Sequence, residues 1–120
     1  GEAIANGGEL KKPYLIDSIS TSEKTFYKGK TESLGTACSK ESAAYVSNAM
    51  KKAADSYGVD KKLGIHAKTG TAQVDGAYRA SFVSFNDRYT VCIVENNTGK
   101  AGKNLAGSAV RIYKELSKLS

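Results

Sequence analysis

Lys68-Thr69-Gly70-Thr71-Ala72-Gln73 is the stretch from which the rest of this chain can be read. It follows a short apolar run, Ile65 to Ala67, and a turn-rich segment separates it from the next strand-forming run. Side chains alternate faces along a strand. Lys68 and Gly70 therefore share a face with His66, and Thr69 and Ala67 point the other way, toward a core. Glycine lets a ligand come close to the main chain. An unpaired strand edge can add an extended peptide through its free N–H and C=O groups. Lys68 supplies positive charge for a terminal carboxylate, and the Thr71 hydroxyl completes that contact if the strand twists at its end.

The flanks supply the fold. Ile65 to Thr71 reads as the first of three strands. Tyr78 to Phe85 and Tyr89 to Val94 follow, joined by Asn86-Asp87-Arg88, a hairpin turn by composition. Both alternating sets of Tyr89 to Val94 contain apolar residues, which predicts a strand covered on both sides, with Cys92 a small buried hydrophobe. Upstream, Ser39 to Tyr57 reads as a helix. Ala43, Val46, Met50, Ala53 and Tyr57 recur at spacings of three and four. Ser39 is its N-cap, Glu41 lies in its first turn and Gly58 stops it, while Lys51, Lys52 and Asp55 face water. Downstream, Glu95 to Gly102 reads as a loop and Asn104 as the cap of a last helix. Leu105, Ala109, Ile112, Leu116 and Leu119 form that helix's apolar stripe, and Arg111, Lys114 and Glu115 face water.

The opening segment carries weaker signals. Gly1 to Gly8 reads as the end of a helix with a glycine stop, as expected of a piece of a longer protein. Pro13 to Ile19 reads as a strand that starts at a proline. Thr25 to Lys28 reads as its partner or an extended loop, and Gly29 to Ala37 as turns. The fold class is α+β: an antiparallel meander of three main strands flanked by an upstream helix and a C-terminal helix, one per face.

Composition narrows the function. The 120 residues suit one small domain, and 40% hydrophobic with 25% charged is ordinary globular usage. No apolar run approaches the ~20 residues of a membrane span, and no signal-peptide pattern opens the chain. The net charge of +6 comes from lysines spread along the chain, which reads as a solvated surface. No aromatic-basic motif points to nucleic acid. Two cysteines, Cys38 and Cys92, do not make a disulfide framework and are expected free. His66 has no companion ligands, so no metal is expected. Gly29-Lys30-Thr31 fails as a phosphate loop, because Lys24 occupies the upstream glycine position. Asn96-Asn97-Thr98 is a glycosylation sequon by pattern only.

Lys-Thr-Gly is one of three motifs shared by penicillin-binding proteins and class A β-lactamases, and the longer Lys68 to Gln73 resembles penicillin-binding transpeptidases. The resemblance extends through ordered flanks. Ala5-Asn6-Gly7-Gly8 followed by Lys12-Pro13-Tyr14-Leu15 is similar to the family's segment upstream of the motif. Ser81-Phe82-Val83-Ser84-Phe85 is similar to the strand after it, and Val91 to Asn96 and the last helix to its closing elements. Nearly the whole chain, 1–120, thus resembles the C-terminal part of a transpeptidase domain of the penicillin-binding/serine β-lactamase-like fold. Three positions depart from the family's pattern: His66 and Ala67, where a small residue and often Gly are usual, and Ser84, usually Gly.

The resemblance assigns roles. The motif strand would form one wall of the groove, with Lys68, Thr69, Gly70, Thr71 and Gln73 binding substrate. Lys68 would neutralise the substrate carboxylate and maintain the hydrogen bonds around the nucleophile. The Thr71 hydroxyl would bind the same carboxylate. The Thr71 N–H would be one of two oxyanion donors, each typically contributing ~3 kcal/mol of barrier lowering; the other belongs to the nucleophilic serine. That serine's motif, Ser-x-x-Lys, occurs nowhere in the chain. Ser84-Phe85-Asn86 matches the family's Ser-x-Asn but follows Lys-Thr-Gly instead of preceding it, and reads as strand and turn. Thr21-Ser22-Glu23-Lys24 lies in a loop, whereas the nucleophile needs a helix that sets serine and lysine one turn apart.

By resemblance, the parent is a peptidoglycan D,D-transpeptidase. Its serine attacks the D-Ala-D-Ala end of a stem peptide and forms an acyl-enzyme, and β-lactams acylate the same serine. No cofactor is implied. The partners implied are the stem peptide, β-lactams and the N-terminal part of the same domain, on the extracytoplasmic face of a bacterial membrane. The alternatives are a D,D-carboxypeptidase, a serine β-lactamase, against which Thr71-Ala72-Gln73 speaks, and a non-catalytic β-lactam-sensing domain. In the family the last strand pairs with one from the N-terminal part. Left open here, its edge predicts a homodimer, strand exchange or poor solubility.

Overall fold

A computed structural model describes residues 1–96, 99 and 101–119. Three helices, α1 (Glu2–Ala5), α2 (Lys40–Ser56) and α3 (Ala106–Leu116), accompany seven strands. The strands are β1 (Glu9–Lys11), β2 (Ser18–Ser20), β3 (Thr25–Lys28), β4 (Ser33–Thr36), β5 (His66–Val74), β6 (Ala77–Phe85) and β7 (Thr90–Asn96). The main sheet is the expected antiparallel meander, in the order β5-β6-β7. The motif strand runs past Thr71 to Val74 because its turn has only two residues. Asp75 and Gly76 both take positive φ, 50° and 78°, the left-handed pair that matches the twist of a two-residue hairpin. At the other end of β6, Asn86 Oδ1 accepts the N–H groups of Arg88 and Tyr89 at 3.0 and 2.9 Å. The turn read from composition is therefore held by an Asn side chain.

The register places Ala67, Ser84 and Val91 in one row and Thr69, Phe82 and Ile93 in the next. These residues share the face on which the core forms, packed against Leu105, Ala106, Ala109 and Tyr113. The Tyr113 hydroxyl donates to Ser84 Oγ at 3.1 Å, and Ser84 Oγ donates to the Val91 carbonyl at 3.3 Å. Burial pushes the Tyr113 phenol above the ordinary tyrosine value. A pKa raised on folding contributes stability below the unfolded value, which is lost as pH climbs through the folded one. Tyr113→Phe should cost about 1 kcal/mol at neutral pH, one net hydrogen bond. It should also flatten the loss of stability on the alkaline side. Urea midpoints at neutral and alkaline pH check both.

Several sequence expectations change. In α2, Ser39 is the cap, accepting the Ser42 N–H at 3.1 Å. Its buried residues are Ala43, Met50 and Ala54, whereas Val46 is 40% exposed and Ala53 and Tyr57 are half-buried. The helix straddles β5: Ser47 meets His66 on one face of the sheet, and Tyr57 meets Phe82 on the other. The stripe through 43, 47, 50 and 54 therefore faces inward, with a serine in it. In α3, the helix is entered through a 3-10 turn, Gly102–Leu105, and Asn104 lies within that turn and is not the cap. The buried line is Leu105, Ala106, Ala109 and Tyr113, while Ile112 and Leu119 are exposed. Tyr113, polar at its tip, was not in the expected stripe, yet it fills the core.

In β7, Val91 is buried but Cys92 and Val94 are exposed, so the strand is not covered on both sides and Cys92 is not a core residue. On that face Gly1, just before α1, lies against Val83 and Thr90. Both cysteines are free. Pro13 to Asp17 lies outside any strand; of the expected strand only Ser18 and Ile19 pair with β3, as part of β2. The turn-rich segment contains β4, paired with β1. These two ribbons stand off the core, with Leu15, Ile16, Ile19 and Phe26 exposed. The sequon includes Asn97 and Thr98, which lie outside the described residues. Among the described residues, no helix is long and apolar enough to cross a membrane.

Candidate functional site

Among the described residues β5 has β6 on one side and no strand on the other, so the motif lies on a sheet edge. Ala67 is fully buried and anchors the strand, and Lys68 next to it is exposed. The Lys68 ammonium donates to the Thr69 carbonyl of its own strand at 2.5 Å. Gly70 sits opposite Ser81. A Cβ at Gly70 would lie 2.6 Å from Ser81 Oγ, and that hydroxyl donates to the Gly70 carbonyl at 3.5 Å. Glycine therefore serves packing across the ladder as well as approach to the backbone.

The two threonines point to the other face. Thr69 Oγ donates to the Tyr57 hydroxyl at 3.1 Å, tying the motif to the end of α2. Thr71 Oγ accepts the Gly102 N–H at 3.0 Å. Lys68 and Gly70 are thus grouped with His66, and Thr69 and Thr71 with the core face, with the Thr71 hydroxyl tied to the entry of α3. Gln73 is exposed farther along the strand, opposite Tyr78.

His66 is an anchor. Its Nδ1 lies 2.8 Å from the Ser47 carbonyl and 2.9 Å from Ser47 Oγ, and its ring stacks on Phe85 with centroids 4.9 Å apart. A ring at this position fills the space between α2 and β6. No group of three His, Cys, Asp or Glu able to hold a metal occurs among the described residues. Ser84 is 0% exposed, and its hydroxyl is committed to Tyr113 and Val91, so no acyl group reaches it. Thr21 lies between β2 and β3, where its Oγ accepts the Lys24 N–H at 3.2 Å; this is turn geometry, not a helix presenting a nucleophile.

Tyr57, Ser47 and Gly102 were missed as supports of the motif. Tyr57 was visible only as an apolar stripe residue, Ser47 as a polar position in a helix and Gly102 as the end of a loop. No local pattern signals contacts made across 12, 19 and 31 residues. What the arrangement offers chemically is an extended edge and an exposed ammonium, suited to an extended chain that ends in an anion.

The family model of the penicillin-binding protein transpeptidase domain matches residues 2–118. This chain belongs to that family. Among solved structures, the D,D-transpeptidase domain of a peptidoglycan glycosyltransferase from Eggerthella lenta is 25% identical with a TM-score of 0.83. The match covers 98% of this chain and 30% of that one. Penicillin-binding protein A from M. tuberculosis, as an imipenem acyl-enzyme complex, superposes with a TM-score of 0.75 at 24% identity, over 93% of this chain and 28% of that one. Its penicillin G acyl-enzyme complex superposes at 0.70 and 24% identity, over 96% and 29%. This transpeptidase-family chain therefore spans under a third of the solved structures that it matches. The mixed helix-and-sheet architecture and the family are as the sequence led us to expect. No match is found among curated proteins.

Proposed function

We propose that this chain supplies the Lys-Thr-Gly wall of a serine D,D-transpeptidase that cross-links peptidoglycan stem peptides and is acylated by β-lactams. The observation that carries this reading is the motif's placement: Lys68, Gly70 and Thr71 lie on β5, which among the described residues is an edge strand of the sheet. A stem peptide ending in D-Ala-D-Ala would lie along this edge as an added strand. Its terminal carboxylate would be met by the Lys68 ammonium and its scissile carbonyl by the Thr71 N–H. That N–H is a preorganised donor for the oxyanion of the tetrahedral intermediate. The nucleophilic serine, its lysine and the second oxyanion donor would come from residues beyond these 120, in the part of the domain that closes the groove. The site would work on the extracytoplasmic face of a bacterial membrane, where its substrate is.

The test uses a fluorescent penicillin and intact mass. The protein with the complete domain should gain one adduct, on a serine outside this chain. These 120 residues alone should gain none, because they have no serine activated by a lysine one turn away. Their non-covalent affinity should also be weak, since a ligand on one wall leaves most of its surface in water. A stoichiometric adduct on any serine of the 120-residue chain would overturn the reading.

A further inference from the structure

Gly102 lies 31 residues after Thr71 and makes two contacts with the motif strand that no side chain could make. Its N–H donates to Thr71 Oγ at 3.0 Å. It is buried, and a Cβ there would lie 2.6 Å from the Gly70 carbonyl oxygen, 2.7 Å from the Ser81 carbonyl oxygen and 3.2 Å from Thr69 Cβ. The two closest atoms belong to the backbone of paired strands, so neither can rotate away. Glycine is required here for close approach and not for an unusual φ, since its φ lies outside the positive region.

A threonine hydroxyl has one hydrogen to donate and two lone pairs to accept with. Gly102 occupies a lone pair. Among the described residues no acceptor takes the hydrogen, and Thr71 is exposed. The hydroxyl therefore keeps its hydrogen to give, and a hydrogen bond to a charged acceptor is stronger than one to a neutral group. We propose that Gly102 is a positioning residue for carboxylate recognition: its N–H sets the Thr71 hydroxyl to donate to the terminal carboxylate of the acyl donor, and its missing side chain is what allows that. Because Gly102 opens the turn that leads into α3, the seat of that helix on β5 and β6 fixes the polarity of the site. The inference rests on the transpeptidase reading above and adds a residue outside the motif.

The test compares acylation by a penicillin with a free carboxylate and by its methyl ester, in the protein with the complete domain. The ratio of the two second-order rate constants reads carboxylate recognition, and the ester rate is the internal reference. Thr71→Val should lower the ratio about tenfold, the worth of one hydrogen bond to a charged group. Thr71→Ser should preserve it. Gly102→Ala should lower it by a similar factor, and adding Thr71→Val should then bring little further loss. Should Gly102→Ala fail to fold, glycolic acid at position 102 replaces the N–H by an oxygen and adds no Cβ; it should lower the ratio as well. Acid and ester rates falling together, with the ratio unchanged, would make Gly102 a packing residue and overturn the inference while leaving the transpeptidase reading intact. Absence of acylation by either compound would remove both.

Discussion

Lys68→Ala should lower the rate of β-lactam acylation by about 10²–10³-fold, the typical loss when one preorganised electrostatic contact is removed from an acyl-transfer site. The thermal midpoint should move by less than about 2 °C, as for a surface substitution worth under ~0.5 kcal/mol. The two halves of this expectation come from the same geometry. Lys68 is exposed, forms no ion pair among the described residues and bonds only the carbonyl of the next residue. Among the described residues it makes no other hydrogen bond or ion pair. A lysine without an ion pair among the described residues, held on a sheet edge, is available to an anionic ligand. Acylation and thermal unfolding should be followed on the same preparation of the complete domain. Normal acylation with a large fall in midpoint would make Lys68 structural and leave the motif without its cation. Lys68→Arg is a useful companion: it keeps the charge but exchanges a compact ammonium for a planar fork, and should recover only part of the rate.

The legible parts of this chain were those governed by local periodicity. The strands β6 and β7, the Asn86 turn and the Ser39 cap depend on neighbours a few residues away, and they stand where the sequence put them, although β7 is covered on one face and not on both. The motif's face assignment was legible for the same reason: Ala67 is buried and Lys68 exposed because alternation allows nothing else. Errors arose where a third element decided the outcome. Val46 is apolar and correctly spaced, yet α2 straddles the β5 edge and turns Ser47 inward to meet His66. Tyr113 displaced Ile112 from the core because Ser84, on the opposite wall, gives its hydroxyl a partner. Asn104 had the chemistry of a cap, but Gly102 must sit against Gly70 and Ser81, so the entry to α3 is a 3-10 turn whose position the sheet sets. The Thr71 contact with Gly102 was illegible for the same reason, and it bears most directly on function.

Phe82→Ala should have the largest effect on stability, about 3–5 kcal/mol. That is a large share of the roughly 5–15 kcal/mol that holds an ordinary domain together. Phe82 is fully buried at the middle of β6, the central strand of the main sheet, paired with both β5 and β7. It also touches the motif's support: its ring meets that of Tyr57 edge-on, with centroids 6.0 Å apart, and the Tyr57 hydroxyl accepts from Thr69. Removing the ring leaves a cavity that the paired strands cannot close, and it frees Tyr57 to move. Urea unfolding should show the loss, and amide exchange should quicken at Thr69 and its neighbours before it quickens in β7. Val94→Ala is the contrast. Val94 is on the neighbouring strand but 57% exposed, and its truncation should stay within about 0.5 kcal/mol, the usual range for surface positions. Equal costs for the two substitutions would mean that both faces of the sheet are buried in solution. The core would then not be the one-sided packing of α3 and the end of α2 on which the Thr69 and Thr71 contacts depend.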